Sequence, residues 1–372
     1  MTRKVRELER QRDAGTVAVT SRVTLATWLN RWVARRETLG TVRPRTIKGY
    51  RDDQRHIDEV IGSVSLAKLA PEHVERLWAV MVAMDLSVAH CRRTLMACLN
   101  DATARGLLVR NPIKLADRPR PRPVAIDPYT VEEMCALLEA AVGQRNGTRW
   151  TIALALGMRQ GEVLGLCWDD IDLQVGTVRV ARQLQRLSWR HGCDDPSTCT
   201  YIGRSGTGQA SKRGADCPNR WGGGLDVSEP KSEAGRRVLV LPPSVVMELK
   251  AHRRAQAAER LSSEVWTVGP RGGWVFANET GGALDPRADA RAFKSLCVNA
   301  GVPTRRLHDL RHSAATMMLE NELDLRTAGA VLGHSQVSHT ARYSHVLADR
   351  KLVAADRIEK ALFSRKSTAR GN

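Results

Sequence analysis

Residues 117–124 read DRPRPRPV, three prolines alternating with arginines. Proline fixes φ, lacks an amide N–H and drives the preceding residue into extended backbone. Such a run can neither continue a helix nor enter a central strand. It reads as a semi-rigid basic connector over residues 117–126. The 372-residue chain is thereby divided into two parts, each of which needs a core of its own.

The part before the connector carries helical patterns only. Leu25, Trp28, Leu29 and Trp32 recur at helical spacing in a helix from Thr24 to Leu39, with Thr24 as its N-cap. Pro44 and Pro71 each open a further helix at its first turn, and a fourth runs from Ser87 to Arg105 before Gly106. Residues 22–116 therefore form a helical module. Residues 1–125 hold 24 Lys and Arg against 13 Asp and Glu, most of the excess behind the chain's net +18. A basic helical module of this size fits duplex DNA, whose phosphates attract Lys and Arg regardless of sequence. Arg43, Arg45, Lys48, Arg92 and Arg93 are the candidate contacts.

The part after the connector, residues 127–365, mixes helices with a small sheet, which makes the chain mainly α with a minor β component (α+β). Helices are expected at Tyr129–Val142, Thr148–Leu166, Pro243–Arg260, Pro286–Ala300, Leu307–Glu320 and Leu325–Leu332. An amphipathic helix at Asp349–Leu362 and a tail at 366–372 close the chain. Strands are expected at Thr177–Leu184 and Arg237–Leu241. Between them lies a polar insertion at about 186–228, too long for a hairpin turn. The insertion holds His191, Cys193, Cys199 and Cys217, soft donors suited to a structural Zn²⁺, although H-x-C-x₅-C-x₁₇-C is not a standard finger. A disordered loop with incidental cysteines is the other reading. Cys91, Cys98, Cys135, Cys167 and Cys297 stand singly in apolar contexts and read as small buried hydrophobes of a reducing compartment.

No run approaches the length of a membrane span, and the charged start MTRKVRELERQRDAG is no secretory signal; a cytoplasmic, nucleoid-associated protein is expected. The Gly-rich segment GRSGTGQA lacks the Lys-Ser/Thr of a phosphate loop, and no paired carboxylates stand at metal-nuclease spacing. Chemistry on a phosphate would then fall to cationic side chains. These occur in four ordered boxes: LGMRQGEVLGLCWDDID with Arg159 and Glu162, HDLRHSAATMML with His308 and Arg311, VLGHS with His334, and TARYSHV with Tyr343, one of four tyrosines in the chain.

Together these boxes resemble the catalytic signature of the tyrosine recombinases, specifically integrases of phages and integrative elements. The resemblance extends from the helical module, similar to the family's core-binding domain, through the catalytic domain at 127–365. It implies Tyr343 as the nucleophile that forms a 3′-phosphotyrosyl link. Arg159 and Arg311 would grip the scissile phosphate, with His308 and His334 contacting it and Glu162 orienting the group. Lys231, before the second strand, would protonate the 5′-oxygen, with Lys212 as a weaker rival. The implied activity is site-specific integration and excision. No cofactor is required, because the covalent intermediate conserves the phosphodiester energy. The implied partners are double-stranded attachment sites gripped in a C-shaped clamp, a homotetramer on DNA, and accessory bending or directionality factors. The terminal helix, with Leu352, Ile358, Leu362 and Phe363 as its stripe, would dock on a neighbouring protomer. Residues 1–21 resemble the last helix of an arm-binding domain. A catalytically silent DNA-binding relic and a type IB topoisomerase-like activity remain the alternatives.

Overall fold

The computed structural model describes residues 23–120, 127–193, 199, 214–230, 233–321 and 323–333. The chain divides into two compact units, Met1–Val124 and Ala125–Asn372.

The described part of the first unit is helical: α1 (Leu25–Thr38), α2 (Pro44–Ile61), α3 (Pro71–Ala83) and α4 (Val88–Ala104). The Thr24 hydroxyl accepts the Thr27 amide at the start of α1, and proline occupies the first turn of α2 and α3. Leu25, Leu29 and Trp32 of α1 meet Ile57 and Ile61 of α2, Leu77 of α3 and Leu95 and Leu99 of α4, all fully buried. Burying each such side chain contributes about 1.5–3 kcal/mol. The basic residues are left on the outside of this bundle.

The second unit contains α5 (Val131–Ala141), α6 (Thr148–Leu156), α7 (Gln160–Leu164), α8 (Pro243–Ser262), α9 (Pro286–Asn299), α10 (Asp309–Glu320) and α11 (Leu325–Leu332). Among its described residues, five short strands accompany them: β1 (Ile171–Asp172), β2 (Thr177–Val180), β3 (Gln183–Leu187), β4 (Gly224–Ser228) and β5 (Arg237–Val240). β1, β2 and β5 form one antiparallel sheet in that order, and β3 and β4 form a separate ribbon. In the sheet Val178 pairs with Leu239 and Val180 with Arg237. The core joins Val178, Val180 and Leu239 to Ile152 of α6, Leu249 of α8 and Phe293 of α9. A smaller cluster of Ala315, Leu319, Ala328 and Leu332 fastens α10 to α11. Among the described residues, no helix is long and apolar enough to cross a membrane.

Three expectations from sequence need correction. The helix expected over Thr148–Leu166 stops at Leu156 and restarts at Gln160. Gly157 between them has φ +60°, and a Cβ there would stand 2.4 Å from a methyl of Leu332. The strand expected over Thr177–Leu184 breaks after Val180, because β3 leaves the sheet to pair with β4. At the ends of the insertion, Arg186 pairs with Leu225 and Leu187 with Gly224. Cys135 is exposed, whereas the other four solitary cysteines are buried. The helix expected at Asp349–Leu362 and residues 1–21 lie outside the described residues.

Gly157 thus answers both a backbone and a packing demand. Gly157→Ala is expected to lower the stability of the second unit by roughly 2–4 kcal/mol, from left-handed strain plus overpacking. Gly301→Ala, also at positive φ but with nothing within 4 Å, meets the backbone demand alone. Urea unfolding of both variants checks this, the first expected to lose clearly more than the second.

Candidate active site

The break at Gly157 decides where Arg159 points. Arg159 takes the N-cap position of α7 in extended backbone, which detaches its side chain from the preceding helix. Its amide donates to Glu162 Oε2 at 3.0 Å and its Nη1 donates to Glu162 Oε1 at 2.6 Å. Its Nη2 donates to the carbonyl of Gly333 at 3.2 Å. Gly333 is the left-handed residue that ends α11, and His334 follows it in sequence. The Arg159 side chain stays 38% exposed, so its guanidinium is anchored yet reachable from solvent.

Gln160 secures the same junction from the other side. Its side-chain amide donates to Asp289 Oδ2 and to the Pro286 carbonyl, both at 2.8 Å. Asp289 also accepts Arg149 Nε at 2.7 Å, a pair almost wholly withdrawn from water.

Arg311, in the first turn of α10, is 3% exposed and donates through Nη1 to the carbonyl of Gly157 at 2.6 Å. Both box arginines are thereby held on the same α6–α7 junction. His308 stands just before α10, with its ring 5.0 Å from that of His312 in an edge-on arrangement. Withdrawal from water pushes the His308 imidazole down to about 4, and His312, Arg311 and Arg159 press in the same direction against Asp309. The ring is neutral at neutral pH, able to accept a proton. The influence of both arginines on this ring places His308, Arg311 and Arg159 in one electrostatic neighbourhood.

Arg237 is the functional residue that sequence reasoning missed. Its Nη2 donates to Glu162 Oε2 at 3.0 Å and its Nε to the Val331 carbonyl at 2.7 Å. Glu162 is 2% exposed and clasped by two guanidiniums. Burial alone would raise its carboxyl; the hydrogen-bonded Arg237 and the nearby Arg159 override that and hold it below the usual carboxylate range. The only hint in the sequence is the Arg236-Arg237 doublet, which reads as exposed charge at a strand end. Arg179, Arg182, Arg236 and Arg237 further line a cleft of about 680 Å³ between the sheet and the ribbon.

The remaining candidates divide three ways. Lys231, His334 and Tyr343, with Lys212, lie outside the described residues. Arg43, Arg45 and Lys48 are exposed at the start of α2, and Arg92 and Arg93 lie near the start of α4, Arg92 half-buried. Lys48 pairs with Asp52 at 2.5 Å, an exposed pair of little energetic weight. These two helices abut at Gly49 and His90, and the His90 ring meets the buried Asp53 at 2.7 Å. The insertion's four donors do converge: one ligand atom each from His191, Cys193, Cys199 and Cys217 lie within 4.8 Å of one another. The backbone amides of Gly192 and Asn219 donate to the Cys217 sulfur and draw its thiol down to about 6.

Known proteins resemble this chain in sequence and in fold. A family model described as the phage integrase family matches residues 243–350. A protein named integrase from Saccharopolyspora erythraea is 36% identical over 95% of this chain and 86% of its own length. A tyrosine recombinase XerC-like protein of Caldanaerobacter subterraneus subsp. tengcongensis is 31% identical over 69% of this chain and 61% of its own. Among solved structures, the Tn1549 transposon integrase in complex with circular intermediate DNA shares the fold. Its TM-score is 0.67 at 18% identity, covering 90% of this chain and 99% of that one.

The depressed imidazole has a thermodynamic signature. His308 binds its proton more weakly folded than at its ordinary 6.5. It therefore costs nothing above that pH and destabilises the second unit progressively as pH falls towards 4. An NMR titration is expected to place His308 well below the other histidines, and His308→Gln to flatten the upper part of the acid stability loss. Titration of His308 near 6.5 would refute the assignment.

Proposed function

The chain belongs to the phage integrase family, the tyrosine-type site-specific recombinases, and from that premise we propose that Tyr343 cleaves one DNA strand at an attachment site while Arg159, Arg311 and His308 bind the scissile phosphate. The observation that carries the proposal is the convergence of Arg159 and Arg311 on one junction, both anchored, with His308 one helical turn before Arg311.

The Tyr343 phenol oxygen attacks phosphorus, the bond to the 5′-oxygen breaks, and a 3′-phosphotyrosyl link remains. A phenol near pKa 10 is a poor nucleophile at neutral pH, so its proton must be taken up as the bond forms. Neutral His308 is chemically suited to that, and Lys231 to protonating the departing 5′-oxygen. Arg159 and Arg311 offset charge on the pentavalent phosphorus; the planar guanidinium suits them because it donates two parallel hydrogen bonds and stays charged. His334 completes the phosphate contacts. Glu162 and Arg237 are positioning residues, acting through Arg159.

The new link keeps the energy of the old one, so a free 5′-hydroxyl from another strand reseals the backbone by the reverse route. Exchanging both strands of two duplexes takes four cleavages, and each protomer brings one Tyr343, which supports a tetramer on DNA. The basic face of the first unit, including Arg43, Arg45, Lys48, Arg92 and Arg93, supplies sequence-independent hold on the duplex. Work on chromosomal DNA would place the protein with the nucleoid.

The test uses a nicked suicide substrate carrying the attachment site, which traps the adduct because the cleaved fragment diffuses away. Tyr343→Phe is expected to abolish the covalent adduct while binding is retained; an adduct that persists would remove Tyr343 from the role. Arg311→Gln is expected to slow adduct formation by about 10²–10³-fold, as for loss of one preorganised charge-stabilising donor. Arg45→Ala and Lys48→Ala should instead leave cleavage chemistry intact and each lower the salt slope of binding by about one.

A further inference from the structure

Among the described residues, the tip of the β3–β4 ribbon has no apolar core. Of the described residues between 186 and 229, only Cys199 and Cys217 are buried. Yet the backbone here is tightly wound. Arg190 and Trp221 exchange backbone hydrogen bonds at 3.0 and 3.1 Å, and the Trp221 indole donates to the His191 carbonyl at 3.0 Å. A Cβ on Gly192 would stand 1.9 Å from the Asn219 carbonyl, so only glycine permits the approach of strand to returning loop. A small module with so little buried apolar surface needs a staple.

The donors at its centre have the spacing of one. The Cys193 sulfur lies 3.5 Å from His191 Nδ1 and 3.9 Å from the Cys217 sulfur. Tetrahedral zinc, with Zn–S of about 2.3 Å and Zn–N of about 2.0 Å, sets ligand edges of about 3.8 Å between two sulfurs and about 3.5 Å between sulfur and nitrogen. All eight cysteines are unbridged, and two sulfurs 3.9 Å apart are not a disulfide. Three thiolates and one imidazole are soft donors that select Zn²⁺ over Mg²⁺ or Ca²⁺. Four protein ligands complete the coordination shell, which marks a structural site and not a catalytic one.

We propose that His191, Cys193, Cys199 and Cys217 bind one structural Zn²⁺ that closes the tip of the ribbon. The ion joins the end of β3 to the segment returning to β4. Around it the folded tip displays two cation–aromatic pairs, Arg190 over Trp221 and Arg220 over Trp189, each at 4.8 Å. The opposite end of the ribbon packs by the Leu184 backbone against Gly161 and Gly165 of the Arg159 segment. The metal therefore shapes a ribbon rooted beside the catalytic arginines without taking part in the reaction.

The full untagged chain, reconstituted with zinc under reducing conditions and dialysed, is expected to retain about one equivalent by mass spectrometry of the metal. Cobalt in its place should give thiolate-to-metal charge transfer and the visible bands of a tetrahedral ion. Cys193→Ser and Cys217→Ser should each lose the metal and gain protease cleavage confined to residues 186–228, while Cys135→Ser keeps both unchanged. Retained helical circular dichroism in the two site variants separates loss of the metal from loss of the fold. Clearly substoichiometric zinc in the reconstituted chain would overturn the proposal. Octahedral cobalt spectra, or stoichiometric metal in Cys193→Ser and Cys217→Ser together, would do the same.

Discussion

Much of the second unit depends on one buried carboxylate. Glu162 draws together three segments distant in sequence: the start of α7 through Arg159, the start of β5 through Arg237, and through those arginines the end of α11 at Val331 and Gly333. A lone buried carboxylate would cost several kcal/mol in desolvation, and two unbalanced arginines side by side would repel. Sharing one anion between two guanidiniums settles both demands, and the pair leaves a net positive charge. The site therefore remains attractive to an anion after its own internal pairing is complete. Arg311 is held differently, by the Gly157 carbonyl, a neutral acceptor that orients the cation without cancelling it.

That division of labour explains which parts of the site could be read from sequence. Arg159, Glu162, His308 and Arg311 stand in local boxes whose residues and spacing are distinctive, and the structure brings all four to one junction. Arg237 stands in no box. In RVLVL the alternation suggests buried valines, yet Val238 and Val240 are exposed while Arg237 is half-buried and its guanidinium turns inward to Glu162. Leu239 and Leu241 take the core side of that strand, and Arg237, on the same face, reaches Glu162.

The same contrast runs through the fold. Helices opened by Pro44, Pro71, Pro243 and Pro286 were legible because a proline in the first turn is a local signal. The break inside Thr148–Leu166 was not, because the apolar pattern continues across it. The helix ends in the left-handed backbone of Gly157, which also lets Leu332, some 175 residues away in sequence, pack where a Cβ would stand. The departure of β3 from the sheet is likewise set at a distance. Gly161 and Gly165 lie against the Leu184 backbone, where a Cβ would come within 2.7 Å and 3.1 Å of its carbonyl oxygen and amide nitrogen. Both failures of the local reading fall beside Arg159, where long-range packing overrides local propensity to place a side chain.

The electrostatics of His308 follow from this arrangement and bear on how the reaction could be timed. Withdrawal from water depresses the imidazole most, His312, Arg311 and Arg159 add to it, and the two arginines are the groups proposed to receive the phosphate. On the proposed reading, a phosphodiester at those guanidiniums would bring a negative charge that offsets part of the field at the ring. A phosphate bound there would raise the proton affinity of His308. In the unbound protein the same ring stays neutral and the buried junction is spared a further positive charge. By linkage the coupling runs both ways: a phosphate that favours the protonated imidazole is itself bound more tightly by it.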